Sequence, residues 1–237
     1  MNTSPGSRYW HSRRWKLYFI TFSALILLFP YGCLSERTLI PPEMVTKIDV
    51  SDPKIADGFD YPTLDYDSAI MTTFLRSEKG CFFCTPLYHP GVDVGGTADT
   101  PVYAVANGVV VFAGFQDIFT GYVVVIEHFA PKSINFRLPG GEETDKVWSA
   151  YLHLREIHVA NVSLNKVITR GTRLGLIGDF PYDSHLDYHL HFEIRKQNIW
   201  NGAAYDEDNN IIWMRPKDYV SSKFVDPSKF IHLNRPN

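Results

Sequence analysis

The sequence predicts a mostly β fold, an antiparallel sheet or sandwich, preceded by segments that lie outside it. Six runs rich in valine, isoleucine and aromatic residues, separated by Gly and Asn turns, indicate the strands. They cover residues 102–106, 109–113, 122–128, 147–154, 173–177 and 189–196. Because an antiparallel sheet can leave one face open, we expect polar residues on that face to line an open groove.

Length and charge fit one modest enzyme domain with appendages. The chain has 237 residues, a formal net charge of −3 and a sequence pI near 6.3. Aromatic residues make up 14% of the chain, which is enough for a hydrophobic core. This charge balance provides no basic surface for nucleic acid, so we expect no nucleic-acid partner.

Residues 1–34 are predicted to be a signal peptide or membrane anchor. Basic residues between positions 13 and 16 precede the apolar run of residues 17–34, and the positive-inside tendency places the rest of the chain on the periplasmic side. The run is long enough to span a bilayer if it is not cleaved. A lipid on Cys33 is an open alternative, as is a plain apolar role for this cysteine. We therefore expect a membrane-anchored protein of the cell envelope.

Residues 35–85 are predicted to be a tether. The segment carries scattered charges and lacks long periodicity, except that residues 67–79 place Ile70 and Phe74 on one side and predict a short helix before Gly80. Three functions are open for this segment. It would hold the domain away from the membrane, cover the groove as an inhibitory element, or pack on the back of the sheet.

Cys81 and Cys84 form a Cys-Phe-Phe-Cys pair at the end of this tether. An oxidising envelope favours a disulfide between them. A zinc or redox role is less favoured, because the chain has no second Cys-x-x-Cys pair and no strand-helix-strand pattern around this one.

The most informative motif is His189-Leu190-His191 in the last predicted strand. Alternation along a strand places His189, His191 and Glu193 on one face, with apolar residues between them on the other. Successive Cα atoms on one face lie roughly 6.5–7 Å apart, a spacing that suits a zinc ligand beside a proton-transfer group. Alone, this motif is a weak signal, since two histidines can simply occupy a solvent-facing strand.

A second nitrogen and a carboxylate come from His89 and Asp93. A straight strand would hold them about 13 Å apart, so both reach one ion only if the backbone bends, which the Pro-Gly pair between them permits. Together with one of His189 or His191, they would fill three corners of a zinc tetrahedron. The fourth corner is then left for water or substrate, as in catalytic sites.

A further imidazole lies in the predicted strand over residues 148–154. Alternation there predicts Leu152 and Leu154 on one face and Tyr151 and His153 on the other. This pattern offers His153 as an imidazole on a polar face.

Together these elements resemble the LytM or lysostaphin-like zinc metallopeptidases, peptidase family M23, and the resemblance covers residues 88–196. The matching pieces are residues 89–93, 101–110, 121–128, 151–154, 171–178 and 189–194. The resemblance implies a duplicated hybrid motif β fold, with Zn2+ bound by His89, Asp93 and His191. By the same resemblance, His153 and His189 are the catalytic residues, which handle the water on the metal and the developing negative charge.

The resemblance implies a zinc endopeptidase that cleaves peptide crosslinks of bacterial peptidoglycan, with residues 86–237 as the enzyme domain. Its partners would be the peptidoglycan stem peptides. The alternative is a non-catalytic module of the same fold that activates or recruits another cell-wall hydrolase. All five positions are kept in this chain, which disfavours a pure scaffold, because a scaffold has no need for an open metal site. A structural zinc site in a carbohydrate-binding β domain is a third, weaker interpretation.

Two segments depart from the family pattern. Residues 179–188 lack the usual glycine, serine and threonine-rich loop, which leaves the exact bond cleaved open. Residues 129–147 are longer than a tight hairpin, and we predict that they form a wall or flap of the groove.

Several other features have simpler interpretations. We expect His128 to pack or hydrogen-bond locally and His185 to lie on the surface. Residues 198–216 predict a hairpin, and Asp226-Pro227 predicts the cap and first residue of a short closing helix.

Overall fold

The computed structural model describes residues 55–78, 86–117, 120–132, 134–158, 160, 162–179, 188–198 and 216–236. Four predictions lie outside these residues: the membrane anchor, the Cys81–Cys84 disulfide, the surface position of His185 and the body of the hairpin within residues 198–216. Within the part of the chain that the structure describes, no helix is long and apolar enough to cross a membrane.

The described residues form an antiparallel, mostly β structure with three short helices, so the prediction of a mostly β, antiparallel fold is confirmed. The strands are β1 (Ile70–Thr72), β2 (Ser77–Glu78), β3 (Leu87–Tyr88), β4 (Val92–Gly95), β5 (Pro101–Tyr103), β6 (Gly108–Asp117), β7 (Gly121–Phe129), β8 (Phe136–Arg137), β9 (Glu143–Thr144), β10 (Lys146–Ile157), β11 (Val167–Ile168), β12 (Arg173–Asp179), β13 (Tyr188–Arg195) and β14 (Phe224–Val225). The helices are α1 (Tyr66–Ala69), α2 (Lys217–Lys223) and α3 (Pro227–Leu233). Each of the six predicted strands overlaps an observed one.

The main sheet has the order β1-β4-β13-β12-β10-β7-β6-β11, and β10 also pairs directly with β13. Strands β5 and β14 add to β12 and β13 respectively. Because β13 lies between β4 and β10, the segments that carry the predicted functional residues are neighbours in space although they are far apart in sequence.

The two faces of the main sheet bury different residues. The main core includes Phe59, Val94, Val124, Ile126, Tyr151, Leu154, Ile177, Leu190, Phe192 and Phe230. A second apolar cluster contains Val111, Val123, Val125, Trp148, Ala150 and Leu152. His191 is the Cα partner of Leu152, so it faces the side of the second cluster, opposite the main core.

Residues 55–78 belong to the fold, so the tether prediction is wrong for this part of the chain. Phe59 and Tyr66 are fully buried in the main core. The predicted helix over residues 67–79 is also wrong beyond Ala69, where the chain turns into β1 and pairs with β4. Pairing with a distant strand has overridden the local helical spacing.

The predicted groove flap at residues 129–147 is wrong as well. This segment contains the small β8–β9 hairpin, and Phe136 packs in the main core against Phe59 and Phe230. Arg137 donates to the carbonyl oxygen of Leu233 at the end of α3. The segment therefore packs on the core side of the sheet, away from the face that carries His191.

The closing helix α3 begins as predicted. Asp226 is its N-cap and accepts a hydrogen bond from the backbone N–H of Lys229, while Pro227 takes the first helical position. Helix α2 had not been predicted. It places Val220 beside Phe224 in a small apolar cluster.

Candidate metal centre

Strand β13 carries a chain of buried polar groups. His191 Nε2 lies 2.9 Å from Glu193 Oε1, and Arg195 Nε donates to Glu193 Oε2 at 2.6 Å. Burial alone would raise the pKa of Glu193, but the Arg195 charge and the hydrogen bond from His191 lower it, so the carboxylate is ionised. Glu193 is thus a fixed acceptor behind the His191 ring.

The ligand pair His89 and Asp93 flanks a bend, as predicted. Asp93 lies in β4 opposite His191 of β13, whereas His89 precedes the bend. A Cβ on Gly91 would lie 2.3 Å from the carbonyl oxygen of Phe192, so only glycine allows the bend to approach β13 this closely. The bend brings both side chains to one point.

Three potential ligand atoms converge at this point. His191 Nδ1 lies 2.9 Å from both His89 Nε2 and Asp93 Oδ1, and the last two atoms are 3.1 Å apart. Tetrahedral ligands at about 2.0–2.1 Å from zinc lie roughly 3.3 Å from one another. A small expansion of this triangle would therefore hold the ion, and the buried His-Asp-His set matches the donors that zinc prefers.

Both imidazoles are oriented by an acceptor on their far side. His89 Nδ1 lies 2.8 Å from the carbonyl oxygen of Gly91, which can only accept, so this nitrogen carries the proton. His191 Nε2 donates in the same way to Glu193. In the neutral tautomers, a lone pair of each ring therefore points at Asp93, which is the arrangement of metal-binding histidines.

The charges of the cluster favour a cation. Burial opposes ionisation of Asp93, but hydrogen bonding with His191 and His89 and the positive charge of these rings when they are protonated hold its pKa well below the usual range. Burial likewise lowers the pKa of His191, but the hydrogen bonds to Asp93 and Glu193 outweigh it and raise the pKa to about 9. A metal ion would displace this proton, as metal binding to histidine generally does.

His153 reaches the same face through an irregularity in β10. Its φ of +61° is left-handed, which is uncommon for a residue other than glycine, and the pairing with β7 shifts between Tyr151 and Leu154. Tyr151 and Leu154 both enter the main core, whereas Leu152 lies in the second cluster. The predicted alternation is therefore wrong: Leu152 and Leu154 do not share a face, and Tyr151 is a core residue.

Two neighbouring backbones hold this irregularity. A Cβ on Gly178 would lie 2.4 Å from the carbonyl oxygen of His153, and one on Gly121 would lie 3.1 Å from that of Leu154. The backbone N–H of His153 donates to the carbonyl oxygen of Thr120 at 2.9 Å. The glycines allow the close approach that fixes His153 in its left-handed conformation.

The irregularity brings His153 beside the other two histidines of the sheet face. Its ring centroid lies 4.8 Å from that of His189 and 6.0 Å from that of His191. Burial and the positive charges on His189 and His191 hold the pKa of His153 well below its usual range. His153 is therefore neutral and able to accept a proton.

The structure brings together all five predicted site residues. These are His89, Asp93, His153, His189 and His191. All are buried except His153, which is partly exposed, so the open groove expected from the sequence is more enclosed at this point. Their metal-binding and catalytic roles stay predictions.

The sequence was compared with models of known protein families, and one family matches the segment that carries this site. The sequence model of peptidase family M23 matches residues 87–206, about half of the 237-residue chain. The chain belongs to peptidase family M23. Comparison with curated proteins gave no match.

Solved structures that the chain resembles include two peptidases and Csd3 from Helicobacter pylori. A zinc-containing peptidase from Vibrio cholerae is 26% identical with a TM-score of 0.43, over 58% of this chain and 36% of that one. The antimicrobial peptidase lysostaphin from Staphylococcus simulans is 18% identical with a TM-score of 0.46, over 74% and 55% of the two chains. Csd3 from Helicobacter pylori is 18% identical with a TM-score of 0.41, over 73% and 33%. The chain thus matches about a third of the Vibrio peptidase, and family membership follows from the sequence match.

Some features of this M23 site escaped the sequence interpretation. The sequence placed Glu193 on the face of the two histidines without a role, and the structure shows that it is buried and paired with Arg195. Arg195 had received no role, although its position two residues after Glu193 places both on one strand face. Thr120 and Gly178 had received no role either, because they act through backbone contacts with His153.

Proposed function

We propose that this M23 protein is a zinc-dependent endopeptidase that cleaves peptide crosslinks of bacterial peptidoglycan. The observation that carries the proposal is the convergence of three buried ligand atoms, His89 Nε2, His191 Nδ1 and Asp93 Oδ1, which lie within 3.1 Å of one another. Three protein ligands leave a fourth zinc position for a reacting molecule, as in catalytic rather than structural sites.

Zinc bound by these three residues would lower the pKa of a water ligand to about 7 and polarise the scissile carbonyl. The remaining chemistry belongs to the two other histidines. His153 is neutral and partly exposed, so it is suited to accept the proton of the attacking water and return it to the departing amine. His189 is buried beside it and is suited to donate a hydrogen bond to the negative charge that develops on the carbonyl oxygen.

Glu193 and Arg195 act on the reaction through His191. The ionised Glu193 holds the His191 ring in the tautomer that presents Nδ1 to the metal. Arg195 compensates the buried carboxylate, so that the pair keeps its geometry without solvent. Both are positioning residues in this scheme.

The proposed substrate follows from family membership together with the predicted envelope location. We infer that the N-terminal segment exports the chain and anchors it, by an uncleaved span or by a lipid on Cys33, so that the enzyme faces peptidoglycan in the periplasm. The peptide stems then supply the extended backbone that such a site cleaves.

Digestion of purified peptidoglycan tests this proposal. The zinc-loaded full-length chain in detergent is expected to release fragments with new amino termini, which mass spectrometry of the fragments would locate at crosslinks. His153→Ala should abolish the release, whereas His158→Ala, which changes an exposed histidine just after β10, should leave it intact.

Two results would count against the enzyme. Binding to peptidoglycan without new amino termini would favour the alternative module that recruits another hydrolase. Equal release by the wild type and His153→Ala would show that the cleavage does not come from this site.

A further inference from the structure

We propose that residues 70–78 form a clamp that preorganises the His89–Asp93 segment for the metal ion. The inference deepens the proposed function and rests on it. The M23 match begins at residue 87, so the clamp lies outside the part of the chain that matches the family. It comprises β1, the following turn and β2.

The clamp pairs with the outer edge of the strand that carries Asp93. In β1, Thr72 lies opposite Asp93 and is only 1% exposed. On the inner edge, His191 of β13 is the Cα partner of the same Asp93. The backbone of this ligand is thus held between two strands.

The clamp also holds the backbone of His89. The N–H of Leu75 donates to the carbonyl oxygen of His89 at 2.9 Å, and the N–H of His89 donates to the carbonyl oxygen of Arg76 at 3.1 Å. The pairing of β13 with this segment runs from Gly95 to Val92 and does not reach His89. Among the described residues, the backbone partners of His89 therefore come from the clamp.

The turn of the clamp is held in an unusual conformation. Leu75 has a φ of +59°, which a residue other than glycine keeps only where its surroundings enforce it. Its side chain packs against the small cluster of Val220 and Phe224, and Arg76 Nη1 reaches Thr72 Oγ1 at 3.5 Å. With this φ, the N–H of Leu75 points at the carbonyl oxygen of His89.

The clamp matters because His89 lies beyond the Pro-Gly bend, outside the pairing with β13 that holds Asp93. Without it, zinc binding would have to order this segment, and the entropy cost would weaken the apparent affinity. With it, the imidazole is already fixed before the metal arrives. Leu75 and Arg76 are positioning residues by this account.

A graded series at Leu75 tests the clamp in the full-length chain. Leu75→Gly removes the side chain but keeps the N–H and favours a positive φ, so it should bind zinc at least as tightly as the wild type. Leu75→Val strains the turn and should bind several-fold more weakly. Leu75→Pro removes the donor and forbids the φ, and we expect a loss of zinc affinity of about 10–100-fold, the range known for residues that orient metal ligands.

Two further measurements separate the clamp from general stability and from the proposed function. Ile168→Ala, a core change in β11 at the opposite edge of the sheet, serves as a destabilised control with unchanged zinc affinity. Amide hydrogen exchange at His89 in metal-free protein is expected to be at least tenfold faster in Leu75→Pro than in Leu75→Gly.

The outcomes are distinct. A wild-type chain that binds no zinc would contradict the proposed function, and the exchange rates would still decide whether the clamp orders His89. Equal zinc affinity and equal exchange across the Leu75 series would overturn the clamp, as would an affinity loss that Ile168→Ala reproduces. If Leu75→Pro does not fold, the Gly and Val variants give the same comparison.

Discussion

His153 and His189 face each other with ring centroids 4.8 Å apart, although regular alternation after Leu152 would have turned His153 to the core face of the sheet. The left-handed backbone of His153 inserts one extra residue into the strand and rotates its side chain to the site face. The left-handed backbone conformation of His153 therefore places this residue, to which we assign proton transfer, beside His189.

The histidines divide into two classes by their expected response to truncation. His191→Ala removes a zinc ligand, so metal content and turnover should both fall. His153→Ala should keep zinc but lower the cleavage rate by at least about 100-fold, the lower range for loss of a general acid-base group. Elemental analysis beside a cleavage assay separates the two, and full zinc occupancy in active His191→Ala protein would show that the ligand assignment is wrong.

The close approach at Gly178 predicts a functional effect from one methyl group. Gly178→Ala would press a Cβ against the carbonyl oxygen of His153 at 2.4 Å, so the irregularity must shift. We expect cleavage to fall about tenfold or more, while zinc content stays near that of the wild type. Gly140→Ala is the matched control, since a Cβ there meets nothing within 4 Å. Equal cleavage rates for the two variants would mean that the packing around His153 does not matter for turnover.

The contribution of the buried Glu193 to zinc affinity should be measurable. Glu193→Ala removes the acceptor of the His191 ring and should weaken zinc binding about 10–100-fold. It should also lower the free energy of unfolding by about 3–5 kcal/mol, because Arg195 loses its buried carboxylate partner. Glu193→Gln keeps an oxygen acceptor and should retain more of the zinc affinity. A competition titration with a chelator measures both variants, and Ala and Gln variants that match the wild type would exclude this role.

The buried His128, which is not part of the candidate metal site, predicts how the free energy of unfolding depends on pH. Burial lowers the pKa of His128 to about 4, against which a hydrogen bond to the carbonyl oxygen of Asn107 acts only weakly. Between about pH 6.5 and pH 4 the unfolded chain binds a proton that the folded protein excludes. The free energy of unfolding should therefore fall as the pH drops through this range, by up to about 1.4 kcal/mol per pH unit and about 3 kcal/mol in total.

Urea unfolding of the wild type and His128→Gln at several pH values isolates this contribution. Other groups titrate in both proteins, so only the difference between the two profiles counts. That difference should shrink steadily from pH 7 to pH 4, and parallel profiles would show that His128 is protonated in the folded state.

The strands and the ligand segments were predictable because their signals are local. Alternation at residues 189–194 and the Pro-Gly bend after His89 can each be recognised within a few residues. The left-handed His153 was not predictable in this way, since its conformation depends on Thr120, in the turn just before β7, and on Gly178 of β12.

The structure of residues 55–78 was also not predictable from local signals in the sequence. Their composition resembles a linker, and the spacing of Ile70 and Phe74 suggests a helix. The observed β1 forms by pairing with the edge of β4. Because this pairing joins separate segments of the chain, the local residue pattern around β1 does not reveal it.

Zinc K-edge X-ray absorption on the purified, zinc-loaded chain tests the central claim most directly, namely that His89, Asp93 and His191 form an open zinc site. We expect nitrogen and oxygen neighbours only, at about 2.0–2.1 Å, with the scattering of two imidazoles. A sulfur neighbour at about 2.3 Å, or fewer than two imidazoles, would contradict the assignment.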